Sequence, residues 1–149
     1  MPELEDRPPD LPDAGGVYLL VFRLRWAARL TVGALGELSL LPGYYCYAGS
    51  AQLGLRRRLE HHLSAGGRRL HWHVDYLRRV AEPAYVLVWA GRNANECALS
   101  RAAARLLQGT VKGFGSSDCD CEGHLHYFWY DPRWVLGGMR GFPLELIEL

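Results

Sequence analysis

The chain has 149 residues, 49% of them hydrophobic, and a net charge of +1, enough for one domain with a real core. No apolar run approaches the roughly 20 residues that span a bilayer, and the acidic, proline-rich start has no signal-peptide core. A cytoplasmic protein with no membrane partner is therefore expected. The small net charge hides a segregation: residues 50–112 carry ten arginines and Lys112 against four acids, a net +7, while residues 1–49 sum to −2 and residues 113–149 to −4. Arginine's planar fork suits phosphate oxygens, so the basic middle third reads either as a nucleic-acid footprint or as solvated helix faces.

Residues 1–14, with Pro2, Pro8, Pro9 and Pro12, are expected to form a disordered acidic tail. A domain over 15–136 and a C-terminal extension over 137–149 follow. Gly16 to Leu24 reads as a strand, and Ala28–Val32 with Glu37–Leu41 as a hairpin around Gly33-Ala34-Leu35-Gly36. After the Pro42-Gly43 turn, Tyr44 to Ala48 forms a third β segment ending at Gly49-Ser50. Helices are expected over Leu53–Ser64, stopped by Gly66-Gly67, over Trp72–Val80, and over Ala94–Leu107. A short strand, Ala84–Trp89, lies between the last two. Lys112 to Gly123 is irregular, and Leu125–Tyr130 with Arg133–Leu136 would pair across Asp131-Pro132 as a C-terminal edge hairpin. The sum is an α+β domain: a small, mostly antiparallel β-sheet flanked by helices, with an extra N-terminal hairpin and the edge hairpin.

The first helix places Leu55, Leu59 and Leu63 on one stripe. At about 100° per residue, Arg58 falls at roughly 300° and His62 at roughly 340° from Leu55, flanking the stripe, and Arg57 at roughly 200° points to solvent. Arg58 and His62 either line a cleft or are ordinary boundary residues. In the third helix, Leu99, Ala103 and Leu107 form a stripe that Glu96 begins. A carboxylate there must be neutral, paired or bound to a cation, or else reach back to Asn93 in an Asn93-x-x-Glu96 capping box. Tyr18 and Tyr47 sit on neighbouring strands, each within two residues of a glycine, either as core fillers or with hydroxyls toward a phosphate that approaches the backbone. His73 shares a helix side with Leu77 and Val80. It reads as a buried histidine bonded to a backbone carbonyl, or as an accessory group near Ser116-Ser117-Asp118.

Four cysteines, Cys46, Cys97, Cys119 and Cys121, do not make a disulfide framework in such a chain. Cys119-x-Cys121-x2-His124-x-His126 invites a zinc site, against which the Cys-x2-Cys spacing usual in structural centres counts.

Gly16-Val17-Tyr18, Tyr47-Ala48-Gly49-Ser50-Ala51, Leu55-x-x-Arg58-Leu59-x-x-His62 and Glu96-Cys97 together resemble the GIY-YIG nuclease superfamily. Pro42-Gly43-Tyr44-Tyr45, His71-Trp72-His73-Val74-Asp75-Tyr76 and Gly113-Phe114-Gly115-Ser116-Ser117-Asp118-Cys119 resemble its DUF123 or Uri-type branch, over about Gly16 to Phe128. The resemblance implies a metal-dependent endonuclease acting on DNA, with RNA the other candidate substrate. Tyr18 and Tyr47 would be the two motif tyrosines, Tyr18 as general base or positioner of the attacking water. Gly49 would be the close-packed glycine, Arg58 the arginine that neutralises the scissile phosphate, and His62 the histidine one turn later. Glu96 would hold the single divalent ion, magnesium or manganese. Ser50, Arg57 and His73 complete the expected substrate-binding set, Arg57 also being the alternative register for the arginine. With no separate DNA-reading region, structure-specific recognition is expected, and sequence specificity would need a homodimer or a repair-protein partner. Two rival readings remain: a non-catalytic nucleic-acid-binding module, and a small zinc-stabilised interaction domain.

Overall fold

The computed structural model describes residues 10–64 and 73–149. His71, Trp72, Gly66-Gly67 and positions 1–9 of the expected tail lie outside the described residues. In chain order the elements are β1 (Gly16–Leu24), β2 (Ala28–Val32), β3 (Gly36–Leu40), β4 (Gly43–Ala51), α1 (Leu55–Leu63), α2 (His73–Leu77), β5 (Glu82–Ala90), α3 (Glu96–Leu106), β6 (Gly109–Thr110), β7 (Leu125–Phe128), α4 (Arg133–Gly137) and β8 (Glu145–Glu148). The architecture is α+β, as expected. A six-stranded sheet runs in the order β6-β7-β4-β1-β5-β8, and β2-β3 forms the separate hairpin. Every pairing is antiparallel.

β1 lies between β4 and β5 and is covered on both faces. Tyr18, Leu20 and Phe22 meet α1, α2 and the hairpin through Leu55, Leu59, Val74, Leu77, Leu30 and Val32. Val17, Leu19 and Val21 meet Leu99, Ala103 and Leu107 around α3, and Leu136 of α4. Double coverage explains why β1 alternates only loosely: both of its faces bury apolar groups. It also divides the basic segment. Arg57 and Arg58 ride on α1 in one layer and Arg101 and Arg105 on α3 in the other, so these four do not share one face. Among the described residues, no helix is long and apolar enough to cross a membrane.

Three expectations need correction. Residues 10–14 are docked rather than a loose tail. Leu11 is 2% exposed, and the carbonyls of Pro12 and Ala14 accept from the Arg56 and Leu55 amides at 2.8 and 2.9 Å. They thereby satisfy amides at the start of α1 that have no partner within the helix. The C-terminal edge hairpin does not form. Leu125–Phe128 pairs with β4 and β6, while Arg133–Gly137 is helical. Asp131-Pro132 starts that helix instead of turning a hairpin: Asp131 Oδ1 accepts from the Arg133 amide at 3.0 Å, and proline needs no partner for a missing N–H. The Asn93 capping box is replaced by Asn95, whose side chain accepts from the Ala98 amide at 2.9 Å. The extension over 137–149 adds β8 to the outer edge of β5.

Candidate active site and thiol cluster

Tyr18 and Tyr47 stand on adjacent strands of the α1-facing surface, ring centroids 6.2 Å apart. Tyr18 is paired across the strands with Gly49. The space above Gly49 is not an opening for phosphate; the Tyr18 ring fills it, and a Cβ at Gly49 would lie 2.5 Å from Tyr18 Cζ. Glycine is needed so that the phenol can lie flat against β4.

Helix α1 delivers the next two groups. His62 is 1% exposed, further inside than its flanking position implied, and its Nε2 is 2.8 Å from Tyr18 Oη. Its Nδ1 is 3.0 Å from Asp75 Oδ1, while Asp75 Oδ2 is 3.2 Å from His61 Nε2. With a proton on Nδ1 donated to Asp75, Nε2 accepts from the Tyr18 hydroxyl, a tautomer assigned from this bonding pattern. Asp75, His62 and Tyr18 thus form one hydrogen-bonded line. Burial lowers the His62 pKa, and Asp75 opposes that without reversing it. Burial, then the neighbouring Tyr47, holds the Tyr18 hydroxyl well above the usual phenol range, while Arg58 beside it pulls down and Glu96 pushes up. Tyr47 is likewise raised by burial first and then by Glu96. The glutamate's charge therefore reaches both phenols, although α3 packs on the opposite face of the sheet.

Arg58 donates from an Nη to the Ser50 carbonyl at 2.7 Å. With Arg57, Glu60 and His61 it lines an open cleft of about 510 Å³ along α1. Arg57 is exposed on the cleft wall, as its helical angle requires. His73 accepts at Nδ1 from the Gly115 amide at 2.8 Å and packs on Phe114. Its partner is an amide of the irregular loop, not a carbonyl, and burial lowers its pKa in keeping with an accepting nitrogen. The Tyr47 ring touches the same loop, where a Cβ on Gly115 (φ +70°) would lie 2.9 Å from Tyr47 Cε1.

The loop also assembles a second group. Cys97, Cys119, Cys121 and His124 place their ligand atoms within 4.8 Å of one another and could hold a metal ion such as zinc. Cys97 takes the place expected of His126. His126 is held elsewhere, 2.8 Å from Thr110 Oγ1 at Nδ1 and 2.8 Å from Ser100 Oγ at Nε2. Burial, with a smaller push from His124, drives its pKa down to about 4. Strand alternation alone would put residues 124 and 126 on one face; they part where β7 begins, His124 lying before the strand and His126 within it. His124 itself turns Nε2 to the thiols, 3.4 Å from Cys119 Sγ and 3.9 Å from Cys97 Sγ, and Nδ1 to Glu96 Oε2 at 3.0 Å. That last approach is off the N–H axis, a charge contact more than an aligned hydrogen bond. Burial lowers the His124 pKa, but Glu96 and Cys121 outweigh it and bring it up to about 9.

The family model described as "Domain of unknown function DUF123" matches residues 17–134, most of the chain. The chain belongs to the DUF123 family. No curated protein and no solved structure matches it. Within this DUF123 domain, Tyr18, Tyr47, Arg58 and His62 are brought together, with Gly49 and Ser50 on the strand beneath. Glu96 approaches from the far layer through His124, and His73 reaches the group only through the Gly115 loop. Sequence reasoning missed Asp75 as the partner of His62, and Cys97 and Glu96 as partners of His124. The local signals were present in His61-His62 and Glu96-Cys97, but each pairing spans 13 residues or more with no periodicity linking its ends.

Proposed function

We propose that this DUF123 domain is a metal-dependent endonuclease that hydrolyses phosphodiester bonds in DNA, selecting structure rather than sequence, and that it works in the cytoplasm. The observation that carries the reading is the Asp75–His62–Tyr18 line, 3.0 and 2.8 Å at its two joints, with Arg58 beside the phenol and Glu96 acting on both tyrosines. An ordinary buried tyrosine needs one hydrogen-bond partner; it does not need an oriented imidazole backed by a carboxylate. That arrangement is how a hydroxyl is made to release or accept a proton.

Each group then has a task. Arg58, on the cleft wall, binds a phosphate oxygen and offsets charge that builds on the phosphoryl group. A phenol ordinarily titrates at about 10 and is a poor base alone, and burial holds Tyr18 above that range. When its oxygen accepts a proton from the attacking water, its own proton passes to His62 Nε2, and Asp75 stabilises the imidazolium that results. Tyr47 orients the water from the side nearer the surface. Glu96 supplies a hard carboxylate suited to magnesium or manganese. Oε2 faces His124, and a carboxylate's second oxygen keeps lone pairs for a cation. An ion bound there would withdraw charge from the scissile phosphate and its leaving oxygen. Specificity beyond DNA shape would come from a homodimer or a repair-protein partner.

One observation favours a second reading, a nucleic-acid-binding module without catalysis: Tyr18 is 0% exposed. A cleavage panel separates the two. Supercoiled, branched, flapped and damaged DNA, plus RNA, are incubated with magnesium or manganese and with wild type or Glu96→Gln. Nicking by wild type alone supports the hydrolase. Salt-sensitive binding by both proteins with no product supports the binding module.

A further inference from the structure

The thiol cluster and the proposed active site meet at one carboxylate. We propose that Cys97, Cys119, Cys121 and His124 bind a single zinc ion, and that this ion, through His124, positions Glu96. The second half rests on the hydrolase reading; the first does not.

The donor set is the first argument. Three thiols and one imidazole are a structural zinc set, closed and without a carboxylate in the first sphere. Zn–S of about 2.3 Å and Zn–N of about 2.0 Å in a tetrahedron require S···N separations of about 3.5 Å. The Nε2–Sγ distances of 3.4 and 3.9 Å bracket that value, and the four ligand atoms all lie within 4.8 Å. All three thiols are free.

The second argument is what the site ties together. Cys97 sits in the first turn of α3, and the other three ligands come from the end of the irregular stretch between β6 and β7. That stretch folds back on itself through backbone bonds such as Gly113 N to Glu122 O at 2.7 Å and His124 N to Phe114 O at 2.7 Å. An ion linking it to α3 would fix the same loop whose Gly115 supports Tyr47 and His73.

The third argument is the direction of the His124 ring. Metal-bound histidines characteristically give their other nitrogen to a carboxylate, which fixes the ring and its tautomer. His124 Nδ1 lies 3.0 Å from Glu96 Oε2 while Nε2 faces the thiols. Zinc at Nε2 leaves the proton on Nδ1, on the side of the ring that faces the Glu96 carboxylate. Glu96 is thus a positioning partner of the zinc ligand as well as the acid assigned to the second cation, and loss of zinc would release it.

Protein purified under reducing conditions, exposed to zinc and desalted is assayed for metal, and in parallel loaded with cobalt. The expected result is equimolar zinc and the thiolate charge-transfer bands of tetrahedral cobalt in wild type and in Cys46→Ala. Cys119→Ser and Cys121→Ser should lose both. Should these variants fail to fold, the wild-type stoichiometry and cobalt spectrum decide alone. In Glu96→Gln zinc is retained, but competition with a chelator should show affinity reduced by about 10- to 100-fold. Wild type that retains no zinc, or an octahedral cobalt spectrum, overturns the site. Unchanged zinc affinity in Glu96→Gln overturns the coupling. Equimolar zinc with no cleavage of any DNA leaves the zinc centre standing and removes only the hydrolase.

Discussion

His62 Nε2 lies 2.8 Å from Tyr18 Oη, a hydrogen bond 44 residues apart in sequence that joins helix α1 to the central strand. It gives a buried phenol, a buried imidazole and, through Asp75, a nearly buried carboxylate a shared set of protons. Each of the three would be costly to bury alone.

Asp75→Asn should therefore weaken the line without emptying it. The amide keeps the volume but loses the charge that opposes burial at His62, so the His62 pKa should fall below its already lowered value. Stability should drop by about 1–3 kcal/mol, the cost of a compromised buried hydrogen bond to a charged group. NMR titration of the His62 ring and urea unfolding measure the two effects. An unchanged His62 titration would mean that Asp75 is not its partner in solution.

Stability should depend on pH through the same ring. Because the native pKa of His62 is lowered, the folded chain holds its proton less readily than the unfolded one, whose value is about 6.5. The contribution is fully present above about pH 6.5 and is lost as pH falls from there through the native value. His73, also lowered by burial, works in the same direction. The urea midpoint should thus fall on acidification below about pH 6.5, with His126 adding to the loss, while the raised His124 acts in the opposite sense and removes stability as pH rises from about 6.5 through about 9. His62→Gln should reduce that slope; an identical slope in the variant would contradict the assignment.

Gly49→Ala tests the contact between Tyr18 and β4. The added methyl would drive into the Tyr18 ring, so we expect a loss of about 1–3 kcal/mol in urea unfolding, typical of overpacking. Gly109→Ala, where a Cβ meets nothing within 4 Å, is the matched control and should change little. Equal effects at both positions would show that the strands accommodate the ring elsewhere.

His126→Ala separates the structural histidine from the thiol cluster. It leaves Ser100 and Thr110 without their shared partner and should cost about 1–3 kcal/mol. The metal content of the folded protein should not change. Loss of bound metal with the fold intact would return His126 to the ligand set.

Much of this was legible in the sequence because it is local. The stripe Leu55–Leu59 fixed α1, Leu99–Ala103–Leu107 fixed α3, and Gly33 to Gly36 marked the hairpin. What was not legible depended on tertiary placement. His62 looked peripheral because the helical angle alone does not say how deeply a sheet sinks into the helix beside it. Asp131-Pro132 reads equally as a turn or a helix start until Tyr85 Oη is seen donating to Asp131 at 2.8 Å. Cys97 lay 22 residues from Cys119, and no motif spacing joined them. Glu96 was expected to be paired or bound to a cation, but the identity of its partner, His124, came only from the folded chain.

The most direct test of the central claim is single-turnover cleavage of the best DNA substrate with magnesium, comparing wild type with Arg58→Ala while DNA affinity and circular dichroism are recorded alongside. The hydrolase reading predicts cleavage by wild type, a fall of about 100-fold or more in the variant, an intact fold and only a modest loss of binding. Equal cleavage by both proteins, or no cleavage of any substrate by wild type, would contradict it.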